Sequence, residues 1–159
     1  MARKEPSAVK EVREIVPLDA LHDDIYVREG LNQERVEFFE DLYRSGEEVP
    51  PIWVWLDPDG RLVKVDGRHR TTALKNIGRK DAEVIRKHVK SRAEAISLAF
   101  SANFGGSLTP SDADIGQTLR LLLEAGLSGR KVSEIIRAHS PGFPPTMLGR
   151  YIKDAQTRL

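Results

Sequence analysis

The stretch VKVDGRHRTTAL, residues 63–74, combines a strand, a turn and the start of a helix within twelve residues. Valines alternate with polar residues up to Asp66, which is typical of a strand, and Gly67 breaks this pattern. Apolar residues then recur at helical spacing until Gly78. A helix that begins directly after a glycine presents unpaired amide groups and a partial positive charge, and the glycine lets an anion approach the backbone. The stretch therefore predicts an anion-binding turn.

Basic side chains fill the first turn of this helix. Arginine and histidine at these positions supply charged donors that suit phosphate oxygens. We therefore predict a nucleotide phosphate site formed by Gly67, Arg68, His69, Arg70 and Thr71. The spacing of a P-loop is missing, so the turn is not a Walker motif.

Arg70 has a second implication, because it shares a helix face with the apolar residues that should pack on the sheet. A buried guanidinium needs an anionic partner. The partner is either a bound phosphate, which we favour, or an internal carboxylate that fixes the turn, with Asp66, Glu37 and Glu83 as candidates.

On either side of this stretch, the sequence predicts an α+β region that is followed by helices alone. Residues 14–18, 52–56, 61–65 and 82–89 have strand patterns, and the turn signal 57–60 joins two of them into a hairpin. Helices are predicted at 33–44 with Asn32 as its cap, at 69–77, at 91–102, at 110–125 with Thr109 as its cap and Pro110 in its first position, at 128–139 and at 146–158. We expect a loose tail over 1–13, an α/β domain over 14–103 and a helical domain over 104–159.

Composition narrows the classes of function. The 159 residues include no cysteine, which excludes disulfides, thiolate catalysis and thiolate metal ligands and fits a cytoplasmic protein. The four histidines lack metal-ligand spacing, so we predict no metal held by protein ligands alone. No apolar run approaches the roughly 18 residues of a membrane span, and no signal peptide is evident. The abrupt end of the last helix at Leu159 suggests a fragment of a longer protein.

The end of the chain is basic. From Leu127 to Leu159 six Lys and Arg face two acidic residues, so this segment carries +4, which leaves −3 for the rest of a chain whose net charge is +1. The last two helices could form a helix-turn-helix, with the second helix in the major groove. We predict DNA contacts from Arg130, Lys131, Arg150, Lys153 and Gln156. The alternatives are a helical cap on the core or a dimerisation surface, and the long connection through Pro144-Pro145 is unusual for the motif.

The order of these features resembles the ParB/sulfiredoxin superfamily. The resemblance rests on DGRHR at 66–70 followed by Ala73-Leu74 and Gly78, on Pro51-Ile52 before a strand, and on the hairpin, and it covers about residues 14–107. It implies a small mixed sheet with helices, followed by an all-helical helix-turn-helix region. It also implies that Asn103 belongs to a second phosphate motif, and that the ligand is CTP or another NTP, with Mg²⁺ carried by the nucleotide. The implied role is nucleotide-regulated DNA binding in plasmid or chromosome partition or in transcription, with a homodimer as one assembly state.

Two departures limit this resemblance. Ala102 stands where chromosome-partitioning ParB proteins carry a glutamate, and no arginine follows, so we expect a weak CTPase at most. Sulfiredoxin chemistry is excluded because it needs a cysteine in the turn. The alternative function is a ParB-fold enzyme such as a nucleotide-dependent small-molecule kinase, with Glu34 or Glu37 as the base for a substrate hydroxyl. A nuclease is not favoured, because the sequence shows no carboxylate cluster.

Overall fold

The computed structural model of the protein describes residues 12–28, 30–103 and 110–158. Its elements, in chain order, are β1 (Arg13–Pro17), a 3-10 turn (Leu18–Ala20), β2 (Leu21–His22), α1 (Gln33–Arg44), β3 (Ile52–Leu56), β4 (Leu62–Asp66), α2 (Arg68–Asn76), β5 (Asp81–Arg86), α3 (Arg92–Ala102), α4 (Asp112–Glu124), α5 (Gly129–His139) and α6 (Pro145–Arg158). The predicted α+β class is confirmed.

The five strands form one mixed sheet in the order β1-β5-β3-β4-β2. Strands β3 and β4 form the predicted antiparallel hairpin, and β5 pairs in parallel with β3 and antiparallel with β1. Strand β2 pairs in parallel with the start of β4; its two residues are too few to show a sequence pattern, and it was not predicted. Strand β4 lies between the middle strand β3 and the two-residue edge strand β2, and the turn at Gly67 follows directly from its end.

Local chemistry explains most helix boundaries. The Asn32 side chain accepts a hydrogen bond from the Arg35 amide at 2.9 Å and caps α1 as predicted. The predicted start of α4 is wrong. This helix begins at Asp112, because Ser111 and Asp114 form a reciprocal capping box with distances of 3.1 and 2.9 Å, and Pro110 lies before it. The predicted cap Thr109 lies outside the described residues.

The helices at the end of the chain pack on the same core as one face of the sheet. A single cluster of buried side chains includes Val63 and Val65 of β4, Ile96 and Phe100 of α3, Leu119 and Leu122 of α4, Val132 and Ile136 of α5, and Leu148 of α6. Burial of such large side chains contributes roughly 1.5–3 kcal/mol each. Within the described ranges no helix is long and apolar enough to cross a bilayer. The division into two domains at residue 103 stays a prediction.

Candidate functional site

The turn between β4 and α2 is built around Gly67. Its φ of 124° lies in the region that glycine alone adopts readily, and a Cβ added there would lie 2.9 Å from Cγ1 of the buried Ile52. Helix α2 begins at Arg68, directly after this glycine. Any other residue at position 67 would be strained. The N-cap residue Gly67 has no side chain that could cap this helix, so the amide groups of its first turn have no acceptor from their N-cap.

A cavity of about 270 Å³ opens beside this turn. It collects side chains from α1, the start of β3, the β4–α2 turn and the end of α3. Its lining residues are Arg28, Arg35, Phe39, Pro50, Trp53, Asp66, Gly67, His69, Arg70, Ala102 and Asn103. Four of the predicted phosphate-site residues, Gly67, His69, Arg70 and Asn103, are thus brought together.

A smaller pocket of about 30 Å³ adjoins the cavity and shares its Arg28, Asp66, Gly67, His69 and Asn103 walls. The fifth predicted residue, Arg68, lines this pocket together with Asp23, Tyr26 and Lys64. Thr71 lines neither space, since it is 1% exposed. Its hydroxyl donates to the Arg68 carbonyl at 2.9 Å and accepts from Lys64 at 3.3 Å. A phosphate contact by Thr71 therefore stays a prediction.

Arg70 is buried, as its position on the helix predicted. Its guanidinium donates to Asp66 Oδ2 at 3.0 Å and to the carbonyls of Pro50 and Pro51 at 2.7 and 2.9 Å. Of the three carboxylates that the sequence offered, Asp66 is the partner, whereas Glu37 is exposed and Glu83 pairs with Arg13. Arg70 thus holds the turn to the Pro50-Pro51 segment that leads into β3, and its direct contact with a phosphate stays a prediction.

His69 is a neutral hydrogen-bond acceptor. Its Nε2 accepts from the Asn32 amide at 3.0 Å, which places the ring hydrogen on Nδ1. Burial, together with the surrounding arginines, of which Arg28 and Arg35 are foremost, lowers the pKa of His69 to about 4. The imidazole therefore carries no charge at neutral pH and ties the start of α1 to the start of α2.

Arg28 and Arg35 are site residues that sequence reasoning missed. Arg28 donates from Nε to Asn103 Oδ1 at 2.7 Å, and its Nη1 lies 3.4 Å from Asp114 Oδ2. The Asn103 amide nitrogen donates to the Ala99 carbonyl at 2.6 Å, so both ends of this amide are engaged. Neither arginine belongs to a sequence motif that would indicate a binding site, because Arg28 lies in a turn-like segment and Arg35 on the polar face of α1.

The cations of the smaller pocket share one carboxylate. Asp23 lies 2.7 Å from Lys64 Nζ and 3.7 Å from Arg68 Nε, and the Arg68 guanidinium stacks 4.0 Å from the Tyr26 ring centre. Burial lowers the pKa of Lys64, although Asp23 opposes this shift. An incoming anion could take the place of Asp23 against these two cations, since a phosphate offers more acceptor oxygens than one carboxylate.

The carboxylates proposed for kinase chemistry lie elsewhere. Glu34 and Glu37 are exposed on α1, and neither lines the cavity or the smaller pocket. The acidic residue at the cavity is Asp66, which already pairs with Arg70. Within the described ranges no group of three His, Asp or Glu side chains could hold a metal ion.

The residues predicted to contact DNA lie on the surface of α5 and α6. Arg130, Lys131, Arg150, Lys153 and Gln156 are all exposed. The first turn of α5 packs closely on α6: a Cβ added at Gly129 would lie only 2.9 Å from the Ile152 side chain and 3.4 Å from that of Gln156. This contact brings Arg130 and Lys131 towards Gln156, while both cations also lie within 4 Å of Glu134. A helix-turn-helix in the DNA-binding sense stays a prediction.

Comparison with known proteins identifies the fold. No family model matches the sequence, and no curated protein sequence matches it. Among solved structures, the C-terminally truncated chromosome-partitioning protein ParB from Caulobacter crescentus, complexed with CTP-γ-S, aligns with a TM-score of 0.52 and 16% identity over 89% of this chain and 85% of its own. The pNOB8-like ParB N-domain aligns with a TM-score of 0.52 and 16% identity over 98% of this chain and 61% of its own.

A third match is partial. A free serine kinase in complex with ADP is 26% identical over 49% of this chain, which spans 32% of the kinase, with a TM-score of 0.41. Such a partial alignment carries no argument about function. The alignments with the two ParB structures confirm the predicted ParB/sulfiredoxin-like fold.

Proposed function

We propose that this chain is a ParB-like DNA-binding protein that is regulated by a nucleotide, CTP or another NTP, bound at the Gly67 turn. The observation that carries the proposal is the cavity beside the uncapped start of α2, with Arg28, Arg35 and Arg70 in its wall and Arg68 in the adjoining pocket. Helix N-termini and arginines together favour phosphate groups. The CTP-γ-S complex of the matched ParB protein agrees with a nucleotide ligand.

Binding without efficient turnover fits this cavity best. Ala102 lines it at the position where the family resemblance expects a glutamate, and Asp66 is committed to Arg70. No side chain among those lining the cavity is thus placed to act as a general base, since His69 Nε2 is also engaged. Mg²⁺ would enter with the nucleotide phosphates, and hydrolysis would be weak at most.

Arg28 supplies a physical link between the nucleotide site and the helices. It lines the cavity, and it also contacts Asn103 at the end of α3 and Asp114 in the capping box of α4. A nucleotide phosphate that competes for Arg28 would weaken these contacts and shift α4 against the sheet. We place the joint between the α/β part and the helical part at Asn103 to Ser107, of which the structure describes Asn103 alone.

The DNA-binding part of the proposal rests on the exposed cations of α5 and α6. With it we propose a role in DNA partition or transcription and a homodimer as one assembly state. We expect duplex DNA to bind with an affinity that falls steeply with salt, because neutralised phosphates release counterions. Arg150→Ala and Lys153→Ala should each weaken binding and reduce the magnitude of the log–log salt slope by about 1. Fluorescence anisotropy of a labelled duplex, with and without CTP and Mg²⁺, measures both quantities.

Arg13→Ala is the matched control for this experiment, because Arg13 is an exposed arginine on the outermost strand and pairs with Glu83. It should leave the affinity within about twofold of the parent protein. DNA binding that is independent of salt, or equal losses in all three variants, would contradict a DNA surface on α6.

A further inference from the structure

Trp53 reaches the cavity through the alternation of side chains along β3. Ile52 and Val54 pack in one buried cluster on one face of the sheet, whereas Trp53 and Trp55 lie on the other face. Trp55 is buried there, but Trp53 is only partly buried and lines the cavity. The strand thus places a large aromatic ring at a cavity wall that the phosphate proposal does not use.

The two connected spaces differ in chemical character. Their shared walls, which include Gly67, His69 and Arg28, mark the boundary between them. The smaller pocket adds three charged groups, Lys64, Arg68 and Asp23, and its aromatic residue, Tyr26, is stacked by Arg68. The cavity adds Phe39, Pro50 and Trp53 together with Arg35 and Arg70. Trp53 and Phe39 therefore lie on the side of the boundary away from Lys64 and Arg68.

This polarity suits a ligand with an anionic end and a flat aromatic end. Resting on the proposed nucleotide site, we propose that Trp53 forms a stacking subsite for the nucleobase, with the buried Phe39 as an apolar side wall, while the phosphates lie at the Gly67 turn. The site then selects nucleoside triphosphates over inorganic polyphosphate. Every base has a π-face, so this contribution is common to all bases, and discrimination among them must come from other groups.

Contacts around the two rings support the subsite. Lys87 Nζ lies 4.0 Å from the centre of the Trp53 ring, and within the described residues Lys87 does not line the cavity. This cation fixes the indole without filling the cavity. The guanidinium groups of Arg35 and Arg70 lie 5.1 and 5.9 Å from the centre of the Phe39 ring, which holds Phe39 in place as a side wall and leaves the base to stack on Trp53.

The test compares CTP with inorganic tripolyphosphate, both with Mg²⁺, by calorimetric titration of the full chain. We expect the parent protein to bind CTP at least tenfold more tightly than tripolyphosphate. Trp53→Leu should weaken CTP binding by roughly ten- to a hundredfold and leave tripolyphosphate within about twofold, because stacking contributes only to the base. Trp53→Phe, which keeps an aromatic face, should retain most of the CTP affinity. Leu56→Ala is the control, since Leu56 lies on the same strand, is 46% exposed and does not line the cavity.

A second measurement does not depend on the stability of Trp53→Leu. The chain has two tryptophans, so Trp55→Phe leaves Trp53 as the single indole reporter. CTP should quench its fluorescence, whereas tripolyphosphate should not. If both ligands bind the parent protein with equal affinity, or if Trp53→Leu weakens both equally, the stacking subsite is wrong while the phosphate site stands. If neither ligand binds, the proposed nucleotide site fails and the subsite fails with it.

Discussion

Gly67→Ala is expected to lower the free energy of unfolding by about 2 to 4 kcal/mol. The added Cβ would lie 2.9 Å from Cγ1 and 3.0 Å from Cγ2 of Ile52, a β-branched side chain that is 1% exposed. Overpacking of this kind costs roughly 1–3 kcal/mol. The φ of 124° adds roughly 1 kcal/mol or more for any residue with a Cβ. Urea denaturation followed by circular dichroism measures the loss.

Gly60→Ala separates the two causes. Gly60 also has a positive φ, 82°, but a Cβ added there would meet nothing within 4 Å. It should therefore lose only the conformational part, roughly 1 kcal/mol. Equal losses at Gly60 and Gly67 would show that the contact with Ile52 does not restrict the turn, and the close packing of the Gly67 turn on β3 would be wrong.

Arg70→Ala is the second large effect, with an expected loss of about 3 kcal/mol in the free energy of unfolding. The guanidinium side chain is 9% exposed and satisfies Asp66 and the carbonyls of Pro50 and Pro51. Its removal leaves three acceptors without their donor, and unsatisfied buried groups cost roughly 1–3 kcal/mol each. Asp66 is 32% exposed, so water recovers part of this cost.

Two variants test the geometry of this contact. Arg70→Lys keeps the charge but cannot reach all three acceptors at once, and we expect it to restore about half of the lost stability. Arg44→Ala removes an arginine that is 58% exposed and 3.8–3.9 Å from its acidic neighbours, and it should cost no more than about 0.5 kcal/mol. If Arg70→Ala lowered the free energy of unfolding as little as Arg44→Ala, Arg70 would not hold the turn to the segment before β3.

The features predicted correctly from sequence are those that depend on neighbouring residues. The cap of α1 at Asn32, the hairpin turn at Asp57–Gly60 and the glycine before α2 all act within about four residues. The start of α4 was placed at Pro110 because proline suits a first helical position, but Ser111 and Asp114 satisfy each other's amide groups better.

The composition of the site could be predicted only in part. The sequence of the Gly67 turn indicates an anion site by itself, and Arg68, His69 and Arg70 are predicted from it. Arg28 meets Asn103 and Asp114 across 75 and 86 residues of sequence, and no local pattern can reveal such a contact. Sequence left two partners open for Arg70, and the Asp66 pair became apparent only once the turn was folded.

Calorimetric titration of CTP with Mg²⁺ tests whether the Gly67 turn binds a nucleotide phosphate. We predict saturable heat at one site per chain, a melting temperature raised more by CTP than by ATP, and at least a tenfold loss of affinity in Arg68→Ala, since hydrogen bonds to charged groups contribute about 1.5–3 kcal/mol. Arg44→Ala should bind like the parent protein. The absence of heat with CTP, ATP and inorganic tripolyphosphate alike would contradict the claim.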